Sequence, residues 1–164
     1  MIRAALPTDA AGLCAIYNHY VSSSVITFEE VRLTVEDMAH RIQEGSTTMP
    51  WFVFEKDDRV VGFCYASAWK ARSAYRHSVE STVYVAPDQG KQGIGRLLYL
   101  RLLSDLRARG AHIVLAGIAL PNQASISLHQ KLGFVQVAQL REVGRKFDRW
   151  VDVGYWELML SADH

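Results

Sequence analysis

No stretch of this chain stays apolar long enough to cross a bilayer, and its first residues, Met1 to Pro7, lack the extended apolar core of a secretory signal. The sequence therefore reads as cytoplasmic, without a membrane partner. Cysteine is scarce: Cys14 and Cys64 are the two present, and neither sits in a CxxC or CxxxH spacing. That leaves no sequence basis for a metal clip, so no metal is expected, and both residues read as buried thiols of a reducing compartment. An excess of charge is also missing, since 18 basic against 17 acidic residues leave a net charge of +1. Nucleic acid is thereby disfavoured as a partner, and a small molecule is expected instead. Internal repeats and low-complexity segments are absent, and 164 residues suffice for one domain, residues 1–164, with a full core.

What is present is a regular alternation of strand and helix signals. Ile2 to Leu6 predicts a strand, and Thr8 or Asp9 is placed to cap a helix carrying Leu13, Ile16, Tyr17 and Tyr20. Thr34 and Asp37 have capping-box spacing for a second helix that Gly45 is expected to stop. Trp51 to Glu55 and Val60 to Ala66, joined by Lys56-Asp57-Asp58-Arg59, predict an antiparallel hairpin. A basic, aromatic loop from Trp69 to His77 leads to another strand at Glu80 to Val85. A long helix to about Arg109, a buried strand at His112 to Ile118, a helix from Pro121 to Gly133, and two strands around a polar loop at Gly144 to Arg149 complete the chain. The fold class is therefore α/β or α+β, a sandwich with helices on both faces of a sheet.

The stretch from Glu80 to Leu98 carries the strongest functional signal. A β-branched strand ends at Pro87, Gly93 and Gly95 free the backbone for a close turn, and an apolar helix follows. Unpaired N–H groups at such a helix start attract an anion. The ATP-binding P-loop requires Lys and then Ser or Thr after its last glycine, but Gly95 is followed by Arg96 and Leu97. The dinucleotide fingerprint requires a third glycine at position 98, which is leucine. As a bare helix entry, the GxG remains an alternative.

The strand and turn, together with Asn122, Ser125, Lys131, Gly133 and Phe134 at fixed spacing, resemble the GNAT superfamily of N-acetyltransferases. Trp69-Lys70-Ala71-Arg72, Glu80-Ser81-Thr82-Val83-Tyr84-Val85 and Trp150-Val151-Asp152-Val153-Gly154 are similar to its phosphinothricin and methionine sulfoximine acetyltransferase group. The resemblance implies the GNAT fold, a mixed and mostly antiparallel central sheet, and acetyl-CoA as co-substrate. It assigns the cofactor to Val83, Tyr84, Val85, Lys91, Gln92, Gly93, Ile94, Gly95, Arg96 and Lys131, with Asn122 hydrogen-bonding the pantetheine arm. At position 90, where the family usually carries Gln or Arg, this chain has glycine. A homodimer is implied as well, with the Lys146-Phe147 segment reaching a neighbouring subunit's site.

Acetyl transfer to an amine requires the neutral amine, hence a base. Glu80 is the candidate, a carboxylate inside a strand and on one face with Thr82 and Tyr84; its structural alternative is an ion pair at the strand edge. His129 stands where the family's acid commonly sits, and either protonates the leaving thiolate, orients a water or caps a carbonyl. A backbone N–H near Val83 is the oxyanion donor implied by the family fold. Lys70 and Arg72, flanked by Tyr75, are candidates for an anionic amino-acid substrate, with Phe28, Ser81 and Thr82 shaping its pocket. The expected activity is direct transfer of acetyl to the α-amine of phosphinothricin, methionine sulfoximine or methionine sulfone. A polyamine, an aminoglycoside, a protein N-terminus, or CoA binding without turnover are the alternatives.

Overall fold

In the computed structural model, residues 1–160 are described, and they form a seven-stranded sheet with helices on both faces. The strands are β1 (Ile2–Ala4), β2 (Trp51–Lys56), β3 (Arg59–Ala68), β4 (Ser78–Val85), β5 (Ile113–Ala119), β6 (Val135–Lys146) and β7 (Arg149–Met159). Their order across the sheet is β1-β2-β3-β4-β5-β7-β6. All neighbours run antiparallel except β4 and β5. The helices are α1 (Ala10–Ser23), α2 (Val35–Ser46), α3 (Ile94–Ala108) and α4 (Gln123–Lys131). None of the described helices is long and apolar enough to cross a membrane.

Strand alternation decides which helix meets which side chain. Phe63 of β3 and Tyr84 of β4 stack toward Tyr17 of α1. Gly62 and Cys64, one position along, face α3, where the Cys64 thiol lies 3.5 Å from the Leu98 carbonyl. Leu98, Leu102 and Leu106 carry α3 into a continuous core and are almost wholly buried. Each such side chain removed from water contributes about 1.5–3 kcal/mol. Burial pushes the Cys64 thiol up to about 12, so it is inert as a nucleophile.

The capping box at α2 forms as expected: the Thr34 hydroxyl accepts from Asp37 N–H at 3.1 Å, and Thr34 N–H donates to the Asp37 carboxylate at 3.0 Å. Asp9 does not cap α1 with its side chain. It turns back to Arg3 and the Leu6 N–H instead, at 2.7 to 2.8 Å, because a guanidinium fork competes better for a carboxylate than a neutral amide does.

The chain departs from expectation in two further places. The polar segment Gly144 to Arg149 is no loop: β6 runs on to Lys146 and turns through Phe147 and Asp148, both at positive φ (51° and 56°), straight into β7. Two consecutive left-handed residues fit the twist of a tight hairpin, and non-glycine residues adopt the conformation here without the usual Asn-Gly signature. Gly45 lies inside α2 rather than ending it. A Cβ there would sit 2.5 Å from Nε1 of Trp51, whose buried indole stacks at 4.0 Å on Tyr65.

Gly45→Ala therefore sets two effects against each other. Helix propensity favours alanine by about 1 kcal/mol, whereas overpacking a held ring costs about 1–3 kcal/mol. Urea unfolding should show a net loss of stability; a gain would mean that Trp51 yields freely.

Candidate active site

The parallel pairing of β4 with β5 lasts for three residues, Ser78 to Glu80 against Ile113 to Leu115, and then ends. Beyond it β5 stays with β7 as far as Ala119, and β4 stays with β3 as far as Val85. The two strands diverge from Glu80 onward. Between them lies a cavity of about 330 Å³, walled by Glu80 to Tyr84 on one side and Ala116 to Ala119 on the other. Thr27 and Phe28, from the connection between α1 and α2, form a third wall, and Asn122, Ser125 and His129 close one end.

Glu80 stands at the fork. Burial holds its carboxyl above the usual carboxylate range, while the charge of Lys70 pulls it part of the way back. Gly117 lies across the gap and leaves room for the Tyr155 ring beside the carboxylate. A Cβ at that position would lie 3.1 Å from the Tyr155 ring and 3.5 Å from the Glu80 carboxylate. Tyr155 in turn packs edge-on against Trp69, 5.4 Å away.

A second cleft, of about 560 Å³, shares Ile26, Val83, Tyr84, Asn122 and Ser125 with the first. It runs to the start of α3 and includes Val85, Lys91, Gln92, Gly93, Ile94, Gly95, Arg96 and Lys131. Gly93 is the helix cap at φ 76°, a conformation that disfavours any side chain with a Cβ. The first intrahelical bond runs from Leu97 N–H to Gly93 C=O at 3.0 Å, so the N–H groups of Ile94, Gly95 and Arg96 fall outside the helical ladder. Those groups, the dipole of α3 and the cations Lys91, Arg96 and Lys131 make an anion cradle. Gly90 is not left-handed, with φ −62°, and contributes openness rather than a turn. Gln92 takes part through Lys56, whose ammonium it accepts at 3.1 Å.

His129 is buried at the end of the first cavity, and both ring nitrogens are engaged. Nδ1 donates to the Ser125 carbonyl at 2.7 Å, which leaves Nε2 bare to accept from the Tyr99 hydroxyl at 2.7 Å. Tyr99 is also joined to the Ser81 hydroxyl at 2.9 Å. Burial lowers the imidazole and raises the phenol, so both are neutral. Of the roles considered for His129 from the sequence, this geometry fits bonding to a carbonyl. Asn122 caps α4, its side-chain oxygen accepting from Ser125 N–H at 3.1 Å.

Not every candidate is brought together. Arg72 and Tyr75 stay exposed on the loop before β4 and line neither cavity, and Lys70 stacks on Trp69 with Nζ 4.8 Å from the ring. Tyr99, Gly117 and Tyr155 are functional-site residues that sequence reading missed. A tyrosine on an apolar helix stripe, whose hydroxyl needs a buried partner, and a glycine inside an apolar strand were the available signals. Among the described residues no cluster of three or more His, Cys, Asp or Glu is placed to hold a metal.

Comparison with known proteins agrees with this geometry. The family model described as "Acetyltransferase (GNAT) domain" matches residues 2–154. The phosphinothricin N-acetyltransferase of Streptomyces viridochromogenes is 40% identical over 95% of this chain and 85% of its own length. An L-methionine sulfoximine/L-methionine sulfone acetyltransferase of Salmonella typhimurium is 35% identical over 98% of this chain and 94% of its own. The crystal structure of a GNAT superfamily phosphinothricin acetyltransferase from Sinorhizobium meliloti, in complex with acetyl-CoA, superposes with a TM-score of 0.93. It is 31% identical, with 97% of this chain and 87% of that one covered.

The buried carboxyl has a measurable consequence for stability. A carboxyl that holds its proton more tightly folded than unfolded lends stability below the ordinary carboxylate range, and that contribution is lost as pH rises through its folded value. Glu80→Gln keeps the shape without the charge, so its melting temperature should exceed that of wild type at about pH 8 and converge with it near about pH 4. Equal melting temperatures at the higher pH would show that burying this charge costs nothing.

Proposed function

The chain belongs to the GNAT family of acetyl-CoA-dependent N-acetyltransferases, and from that premise we propose that it acetylates the α-amine of a small amino-acid analogue such as phosphinothricin, methionine sulfoximine or methionine sulfone. The observation that carries the reading is the fork between β4 and β5, with a half-buried carboxylate at its base and an anion cradle opening from its far side. The cradle fits coenzyme A, because its cations and free N–H groups suit a pyrophosphate and its glycine cap leaves the backbone accessible. Bound acetyl-CoA supplies a thioester carbonyl open to attack by an amine.

The residues then divide the work. Glu80 takes a proton from the substrate ammonium, directly or through one water, and a raised carboxyl is better matched to that task than an ordinary one. The backbone N–H of Val83, at the junction of the two cavities, is the candidate donor to the carbonyl oxygen. Phe28, Ser81 and Thr82 shape the amine site, and His129 fixes Tyr99 at its end. Buried Cys14 and Cys64 offer no activated thiol, which favours direct transfer. The charge of Lys70, felt at Glu80, supports an anionic substrate over a polyamine or an aminoglycoside.

We read residues 1–164 as one catalytic domain, working in the cytoplasm with its two thiols unbridged. We further read it as a homodimer. The edge strand β6 is exposed along nearly its whole length and presents Val135, Val137, Leu140 and Val143, a surface suited to a second copy.

Incubation with acetyl-CoA and a panel of amines, followed by release of free thiol, tests the substrate class. Methionine sulfoximine or phosphinothricin should give turnover while spermidine and kanamycin do not; silence with every amino-acid analogue would overturn the reading. Glu80→Gln should lower kcat by about 10²–10⁴-fold and remove the acidic limb of the pH profile. An unchanged limb would rule Glu80 out as the base.

A further inference from the structure

Lys146 is a lysine in the wrong place for a solvated charge. It ends β6 beside the tight Phe147-Asp148 turn, yet the residue is 2% exposed. The sequence suggested that this segment reaches a neighbouring subunit, but Lys146 turns into its own chain. Its ammonium donates to the Thr27 carbonyl at 2.8 Å, across 119 positions of sequence. Burial lowers its pKa, and the charges of Glu30 and Glu29 oppose that fall. The ring of Phe147 lies 5.2 Å from Nζ. A buried ammonium is costly unless it is well partnered, so the partner is informative.

That partner is the wall of the first cavity. Thr27 and Phe28 both line it, and the Thr27 hydroxyl is bonded to Tyr17 at 2.7 Å. Glu29, next in sequence, is paired with Arg41 of α2. Gly144, which shares a face of β6 with Lys146 at a spacing of two, lies directly against the Phe28 ring. A Cβ at Gly144 would overlap that ring. The register that brings both residues to bear is set by a bulge in β6 between Leu140 and Gly144. Asp152 of β7 holds the bulge, accepting from Glu142 N–H at 2.8 Å and from the Gln139 amide at 3.0 Å.

We propose that Lys146 is a positioning residue: through the Thr27 carbonyl it fixes Phe28 against Gly144 and so sets the wall that meets the substrate's side chain. The Phe28 ring is half exposed and has no hydroxyl or amide of its own to anchor it. Its placement comes from the backbone next to it. The role in recognition rests on the reading that this cavity takes an amino-acid-like amine.

Lys146→Met removes the ammonium and keeps most of the stem. The KM for methionine sulfoximine should rise about tenfold or more, with kcat and the KM for acetyl-CoA within about twofold. In a Phe28→Ala background the same substitution should add nothing further, because both act through one wall. Amide hydrogen exchange at residues 26–29 should quicken in Lys146→Met while the sheet stays protected. An unchanged KM in a folded Lys146→Met protein, or additive losses with Phe28→Ala, would overturn the proposal. Should Lys146→Met not fold, Gly144→Ala decides instead, since it displaces Phe28 and leaves the lysine bond intact; it should raise the same KM, and an unchanged value again overturns the idea. If wild type acetylates no amino-acid analogue, the substrate reading fails by itself. Exchange at residues 26–29 needs no substrate, and unaltered exchange there would then refute the positioning role.

Discussion

A strand cannot follow two neighbours that diverge, and β4 is asked to do so. It is bound to β3 along its length and to β5 for three residues, after which β5 is committed to β7. The sheet has to open, and the opening exposes main-chain groups that a closed sheet would have consumed. Everything chemical in the protein is arranged around that gap. Glu80 sits at its base, half-buried, and Gly117 on the opposite strand leaves room for the Tyr155 ring beside it. The α3 terminus lies where the gap widens, so the divergence that makes the first cavity gives it a neighbouring anion cleft.

The two halves are electrostatically distinct, and their separation matters. Lys91, Arg96 and Lys131 gather at the cleft, whereas the walls between them and Glu80 are aromatic, hydroxyl-bearing or backbone. Had the cations stood against Glu80, they would have held its carboxyl down. Among the described residues Lys70 is the charge that pulls it down, and burial outweighs that lysine.

Local features of this arrangement are legible in the sequence, and distant ones are not. The Thr34-Asp37 box and the glycine-capped start of α3 each depend on residues within a few positions of one another, and each forms. The residues expected from resemblance to hold the cofactor likewise share one cleft. Gly45 misleads because glycine normally stops a helix, and its real purpose is to admit a ring from another strand. Tyr99 hides in the leucine stripe of α3, since spacing reports the buried face and says nothing of where a hydroxyl finds its partner. The Gly144 to Arg149 segment looks polar and loose, yet the turn tightens through two left-handed residues that bear side chains. Arg72 and Tyr75 stay outside the cavity lining because loop composition does not fix loop direction.

The bonds linking Ser125, His129, Tyr99 and Ser81 have a polarity that the positions alone do not convey. A carbonyl has no proton to give, so its bond to Nδ1 fixes the imidazole tautomer, and that tautomer obliges the phenol to point its hydrogen inward. Tyr99 thus keeps an oxygen lone pair for the Ser81 hydroxyl, and the line of bonds runs from Ser81 to a peptide oxygen that ends it. Such a line anchors geometry. Three side chains and one peptide oxygen therefore share a single sense of donation, which locks that end of the first cavity in one orientation.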